Sequence, residues 1–448
     1  MLERWPHQEK SLNVYRRAAH VFDMSDAGTG KTRAAIDAYT ELGQGRALII
    51  APKSLLEPAW GEDIKKFAPH LTYAIAYAQN REEAFSTPCD VYITNTDAAR
   101  WLAEQPKRFF NSFDTLIIDE SSYFKHHSSK RSKAMRKISE HFDRRALLTA
   151  TPTSRSITDI WHQALILDGG QRLGRSFVKF RDVVCQPVMK NPMMPQYVEW
   201  KDKPEARSSV AQILQDVSIR HKFHEVMPGI PGNTEHFIYY KPSAKLLEQY
   251  NRLKDEALIM LQEGTVNAVN AAVLRNKLLQ MASGSVYGES GKTHNLDAKR
   301  VELIADLVYE REHSIVFYNW DHQREALKKT LDKRKTNYAE ITRNTKDRDR
   351  GQIVRDYQDG VYQTLLMHPQ TGAHGLTLTR GTATIWCSPT DRADLLVQGK
   401  HRVLRGGQTK ETENVMVCAN HTLERSVYDR TEGKRNAMTE LMEMLEHN

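Results

Sequence analysis

The sequence predicts an α/β protein of two lobes, each a parallel sheet with helices on both faces. Two observations carry this prediction. Short apolar runs alternate with helical patterns through the N-terminal third, and the same alternation returns in the C-terminal third. The middle, about residues 155–280, reads as long helical patterns with few strands and is expected to insert helical material between the lobes.

In order, Val21-Phe22-Asp23-Met24 is an apolar run leading into a Gly-rich turn, and a helical pattern follows from Lys31 to Leu42. Ala47–Ala51, Val91–Thr94, Thr115–Asp119 and Arg145–Thr149 complete the expected strands of the first lobe. Pro187, Pro192 and Pro195 interrupt the middle, and Met227-Pro228-Gly229-Ile230-Pro231-Gly232 reads as the linker. The expected division is 1–228, with a helical protrusion at about 155–226, and 229–448, with a second protrusion at about 242–282. Ser314–Tyr318, Thr364–Met367 and Ala383–Cys387 are the expected strands of the second lobe. The stripe Leu423, Val427, Met438, Leu441, Met442 and Leu445 predicts a C-terminal helix packed on that lobe.

The composition is that of a globular protein. Of 448 residues, 40% are hydrophobic and 27% charged, which excludes collagen-like, mucin-like and largely disordered classes. The net charge of +8 permits a polyanionic partner. The four cysteines are far apart, with no C-x-x-C pair, so neither a zinc ribbon nor a disulfide framework is indicated. No apolar run approaches membrane-spanning length. The expectation is a cytoplasmic protein, in a bacterial cell or in the host cytoplasm if viral.

Ser25-Asp26-Ala27-Gly28-Thr29-Gly30-Lys31-Thr32 stands between a predicted strand and a predicted helix. Small residues let backbone N–H groups close on phosphate oxygens, and the helix N-terminus adds positive potential. Lys31 is placed to reach the β and γ phosphates and Thr32 to hold Mg²⁺. Asp119 and Glu120 end a predicted strand, where open α/β sheets bind ligands. Asp119 suits Mg²⁺, and Glu120 suits polarising an attacking water. Leu148-Thr149-Ala150-Thr151-Pro152 ends the next strand with hydroxyls. Arg402 and Arg405, three apart, are expected to share a helix face. They could stabilise charge on a transferred phosphoryl group or form a solvated basic face.

The order of these motifs resembles that of superfamily 2 helicase-type motors, and within them the SNF2 (Swi2/Snf2-like) DNA translocases. Asp26 to Thr32 matches motif I, D-x-G-x-G-K-T, the Walker A loop. Trp5-Pro6-His7-Gln8 is similar to R-P-x-Q. Ala51-Pro52-Lys53-Ser54-Leu55-Leu56 with Trp60 is similar to motif Ia. Asp119-Glu120-Ser121-Ser122 with Lys125 is similar to motif II, D-E-x-H-x-x-K, with Ser122 where His is usual, and Leu148 to Pro152 resembles motif III, L-T-G/A-T-P. Asp159-Ile160-Trp161, Ile219-Arg220-His221-Lys222 and Leu274-Arg275-Asn276-Lys277-Leu278 resemble segments that distinguish SNF2 proteins from other helicase groups. Gly372 to Thr379 resembles motif V, with Thr377 where Asn is typical, and Gln398 to Gln408 resembles motif VI. With no chromatin-reading module evident, the chain is most similar to the compact SNF2-like proteins of bacteria and bacteriophages.

The resemblance implies two RecA-like lobes with helical insertions. It also implies a nucleic-acid-stimulated ATPase using ATP and Mg²⁺. Gln8 would recognise adenine, Gly375 and Gln398 would join the nucleotide site, Arg405 would be an arginine finger, and Arg402 would face the γ-phosphate. Ser54, Thr94, Asn95, Asn319 and Thr377 are implied backbone contacts to DNA, positioning rather than specifying. The basic run from His126 to Lys133, with Arg136 and Lys137, is either an added phosphate grip or a solvated helix face. The expected partner is double-stranded or branched DNA, met by a monomer. A strand-separating DNA or RNA helicase and a nucleotide-gated DNA-binding adaptor are the alternatives.

Overall fold

The computed structural model describes residues 3–153, 156–189, 198–227, 229–262, 268–287, 293–372 and 376–443. The chain divides into two compact units, 1–228 with 434–448, and 229–433.

The first unit contains strands β1 (His20–Asp23), β2 (Arg46–Ala51), β3 (Tyr73–Ala76), β4 (Val91–Asn95), β5 (Phe113–Asp119), β6 (Arg144–Leu148), β7 (Cys185–Met189), β8 (Val198–Asp202) and β9 (Ser218–Ile219). Seven of them form one sheet in the order β3-β4-β2-β5-β6-β1-β9, and every pairing is parallel. Parallel sheets are covered on both faces, so their central strands carry unbroken apolar stretches, Ala47–Ala51 in β2 and Leu116–Ile118 in β5. Alternate residues serve the two cores. Phe22, Leu48, Ile50, Leu116, Ile118 and Leu147 lie on one face, and Val21, Ala47, Ile49, Ile117, Ala146 and Leu148 on the other. In the ladder Leu148 stands level with Asp23 of β1 on one side and with Asp119 of β5 on the other. The carboxyl ends of three adjacent strands therefore finish in one row.

The second unit contains β10 (Asn233–Tyr240), β11 (Ser285–Tyr287), β12 (Thr293–Asn295), β13 (Ser314–Phe317), β14 (Tyr338–Ile341), β15 (Thr364–Met367), β16 (Ala383–Trp386) and β17 (Thr412–Ala419). Its six-stranded sheet runs β10-β17-β16-β13-β15-β14, again parallel throughout. Val316, Leu366, Ile385, Val415 and Val417 pack on one face, and Ile315, Phe317, Leu365, Trp386 and Met416 on the other. Arg300 and Glu424, both fully buried, pair at 2.5 Å, and Arg300 also donates to the carbonyls of Ala282 and Cys387.

The middle of the chain departs from the expected run of long helices. In the first unit its helices are short, Asp159–Asp168, Phe177–Val184 and Ala206–Leu214. An antiparallel hairpin of β7 and β8 joins them. The hairpin's residues are mostly exposed, so it lacks an apolar run to announce it. The long helices, Ala244–Gln262 and Ala268–Ala282, belong to the second unit. The edge strands β3, β10 and β14 are likewise only half-buried.

Candidate active site

Motif I turns from β1 into the helix Lys31–Leu42. Asp23 Oδ1 accepts from the Ser25 N–H at 3.0 Å and starts the turn. Gly28 (φ 85°) and Gly30 (φ 80°) hold left-handed conformations, and a Cβ on Gly30 would lie 2.3 Å from Gln8 Nε2. Gln8 is buried beside the loop: its Oε1 accepts from Trp5 N–H at 2.9 Å and its Nε2 donates to the Gly30 carbonyl at 3.3 Å. The His7 ring lies 2.7 Å from the Thr29 carbonyl, and the Thr29 hydroxyl donates to the Asp26 carbonyl at 2.9 Å. Lys31 Nζ reaches back across the loop to the carbonyls of Ser25 (2.6 Å) and Asp26 (2.9 Å). Lys31 and Thr32 are the first two residues of the helix, whose leading N–H groups have no partner within it.

The loop also has a splint that is remote in sequence. Met24 N–H donates to the Ile219 carbonyl, Asp26 N–H to the His221 carbonyl, and His221 N–H to Ser25 Oγ. The Asp26 carboxylate accepts from Arg220 Nη1 and from Phe223 N–H, both at 2.9 Å. The Arg220 side chain is only 3% exposed.

At the end of β5, Asp119 Oδ1 accepts from Glu120 N–H at 2.9 Å and Oδ2 from Trp60 Nε1 at 3.0 Å. Glu120 has φ 52°, a left-handed conformation that costs a non-glycine residue about 1–3 kcal/mol unless its surroundings hold it. After β6, Thr149 N–H donates to the Asp23 carbonyl at 3.0 Å and Thr151 N–H to Thr149 Oγ1 at 3.1 Å. Thr149 and Thr151 are buried. The structure thus brings motifs I, II and III to one edge of the first sheet.

Trp60 and Arg220 stand within the matched motifs, but nothing local marks them as partners of Asp119 and Asp26. Among the described residues no cluster of three His, Cys, Asp or Glu side chains could cage a metal. The Asp119 carboxylate and the Thr32 hydroxyl are hard oxygen donors, the kind that Mg²⁺ takes.

In the second unit the helix Ala393–Lys400 stops before the arginines. Arg402 and Arg405 lie in the turns beyond it and do not share a helix face. Arg402 is 1% exposed, with Nε on the Gln398 carbonyl and Nη1 on the Leu376 carbonyl, both at 2.9 Å. It ties the end of the helix Ala393–Lys400 to the Leu376–Leu378 segment. Arg405 is half-buried, with Nε on the His401 carbonyl at 3.2 Å and Nη1 at 3.3 Å from Thr377 Oγ1. Gln398 is buried and Thr377 exposed. Gly375 lies outside the described residues.

The expected DNA contacts separate. Thr94 is fully buried and its hydroxyl donates to the Ala76 carbonyl at 2.5 Å, so it knits β4 to β3 and is not a surface group. Asn95 is 5% exposed and faces Arg81 and Asp97. Ser54 is half-buried in the turn Lys53–Leu55. Asn319 Nδ2 donates to the Ser388 hydroxyl and to the carbonyls of Ser388 and Pro389. In the basic run, Ser129 caps the helix Lys130–Ser139, with Lys130, Lys133, Arg136 and Lys137 exposed and Ser132, Met135 and Ile138 buried.

The SNF2-related domain model matches residues 10–285, more than half of the chain, and the helicase conserved C-terminal domain matches residues 299–407. The chain belongs to the SNF2-related family. It is 26% identical over 446 residues to putative protein p41 of Acyrthosiphon pisum secondary endosymbiont phage 1, covering 93% of each chain. It is 24% identical to the putative ATP-dependent helicase/translocase YwqA of Bacillus subtilis, covering 89% of this chain and 45% of that one. Against bovine ZRANB3, a DNA annealing helicase and endonuclease, it is 24% identical and covers 94% of this chain and 38% of that one. The chain therefore spans nearly all of the phage protein but less than half of these two larger SNF2 relatives. A Sulfolobus solfataricus SWI2/SNF2 ATPase core in complex with dsDNA aligns at TM-score 0.45 and 19% identity, over 98% of this chain and 92% of that one. Among the described residues no helix is long and apolar enough to cross a membrane.

Proposed function

We propose that this SNF2-family chain is a DNA-stimulated ATPase that uses ATP hydrolysis to move along double-stranded DNA. One observation carries the proposal: the residues that lead into motif I, begin motif II and begin motif III stand in a single row, Asp23, Asp119 and Leu148, at the carboxyl edge of a parallel sheet. That edge is where such sheets bind nucleotides. The turn from Ser25 to Gly30 and the first N–H groups of the helix Lys31–Leu42 cradle the phosphates. Lys31 exchanges its two loop carbonyls for phosphate oxygens. Asp119 and Thr32 would hold Mg²⁺, which supplies charge neutralisation on the phosphates. Glu120 orients and deprotonates the attacking water. Arg405 contributes its guanidinium to the charge that develops on the transferred phosphoryl group. Lys31, Asp119, Glu120 and Arg405 together disfavour a nucleotide-gated adaptor, which does not need the full set.

ATPase rates with no nucleic acid, duplex DNA, single-stranded DNA and RNA test the proposal. Strong stimulation by duplex DNA is expected. Stimulation by RNA alone would overturn the DNA assignment, and the absence of turnover with any polymer would overturn the enzyme.

A further inference from the structure

Every residue of the helix Asp159–Asp168 is buried, so its polar side chains must find partners inside the protein. Gln163, fully buried, does so at three points. Its Oε1 accepts from Ser121 Oγ at 2.8 Å, and its Nε2 donates to the carbonyls of Pro152 at 2.8 Å and Asp159 at 3.0 Å. Two carbonyls on one nitrogen fix the amide's orientation. Ser121 directly follows the left-handed Glu120, and Pro152 ends the hydroxyl segment after β6. One amide therefore grips the loops that carry motif II and motif III. The same helix holds motif II twice more: Lys125 Nζ lies 3.6 Å from Asp159 Oδ2, and His162 Nδ1 donates to the Phe124 carbonyl at 2.7 Å.

We infer that Gln163 is a positioning residue for the hydrolytic step, holding Glu120 in its left-handed conformation by clasping the loops after β5 and β6. The inference rests on the ATPase reading above. Glu120 is held through its own N–H on Asp119 and through its carbonyl, which accepts from Tyr123 N–H at 3.0 Å, and the hydroxyl of the next residue, Ser121, is fixed on Gln163. Without the amide, the Ser121 hydroxyl and the Pro152 carbonyl lose a buried partner. Glu120 can then relax toward negative φ, which moves its carboxylate. The phosphate-binding turn makes none of these contacts, so nucleotide affinity should survive the change.

The test is a cycle of Gln163→Leu, Glu120→Gln and the double variant, assayed for steady-state ATP turnover with duplex DNA and for binding of a fluorescent ATP analogue. Gln163→Leu is expected to lower kcat about tenfold or more, with KM and nucleotide affinity within about threefold. In the Glu120→Gln background the added Gln163→Leu should leave the residual turnover within about twofold, because the group it positions is already gone. An equal loss in both backgrounds, an unchanged kcat, or a rise in KM matching the fall in kcat would overturn the inference. Should Gln163→Leu fail to give a cooperative melt, Ser121→Ala takes its place in the same cycle with the same criteria. A wild-type protein that hydrolyses no ATP overturns the function itself and this inference with it. An active wild type with multiplicative losses overturns this inference alone.

Discussion

Asp119 is oriented by an indole. Trp60 is fully buried, and its Nε1 is the donor on Asp119 Oδ2. Trp60→Phe keeps an aromatic ring and removes that donor. Groups behind a metal ligand commonly change affinity by about ten- to a hundredfold, so the Mg²⁺ concentration for half-maximal turnover should rise about tenfold. A Mg²⁺ titration of ATPase rate checks this. Arg405→Ala should lower turnover roughly a thousandfold, as loss of an arginine finger does, with nucleotide affinity changed far less. Equal losses of turnover and affinity would mean that the side chain serves the fold of its loop. Motifs I, II and III are legible in the sequence because each is continuous in the chain and its chemistry is local. Trp60, Arg220 and Gln163 are not legible as site residues, because each acts on a partner that only the fold brings near. Arg402 shows the opposite failure. Its spacing from Arg405 suggests a shared helix face, but the helix ends at Lys400 and the guanidinium is buried between the carbonyls of Gln398 and Leu376.

At the scale of elements, central strands were easier to read than edges. β2, β5, β13 and β15 carry apolar stretches buried on both faces, Ala47–Ala51, Leu116–Ile118, Ile315–Phe317 and Leu365–Met367, whereas β3, β10 and β14 are mostly half-buried. The helix Asp159–Asp168 carries a consequence for pH. His162 is 2% exposed, and burial pushes its imidazole down to about 4 against an ordinary 6.5. As pH falls below about 6.5 the unfolded chain takes up this proton while the folded chain does not. Stability that is complete above that pH is therefore lost progressively down to about pH 4, by roughly 3 kcal/mol at most from this group. Urea unfolding across pH 4 to 7 should show that slope. In His162→Asn, which retains a donor but cannot titrate, the slope should fall by about one proton. An unchanged slope would place the acid sensitivity elsewhere, for instance at His322, whose imidazole is also pushed down to about 4 by burial.

At the scale of the molecule, two parallel α/β units carry one set of motifs between them: motifs I, II and III in residues 1–228, and the arginine-bearing turns in 229–433. The net charge of +8 is modest for a chain proposed to move on DNA. Contacts that position a duplex without reading its sequence need a few phosphate-facing groups and not a strongly basic chain. The expected consequence is a shallow salt dependence of duplex-stimulated turnover, set by the small number of phosphate contacts, with little dependence on base sequence. The central claim is movement on intact duplex DNA driven by Glu120-dependent hydrolysis, and the most direct test is third-strand displacement from a DNA triplex. The wild type with ATP and Mg²⁺ should release the third strand and leave the underlying duplex paired, while Glu120→Gln, which still binds ATP, should release nothing. An active ATPase that leaves the triplex intact, or one that releases a strand of the duplex itself, would contradict the account.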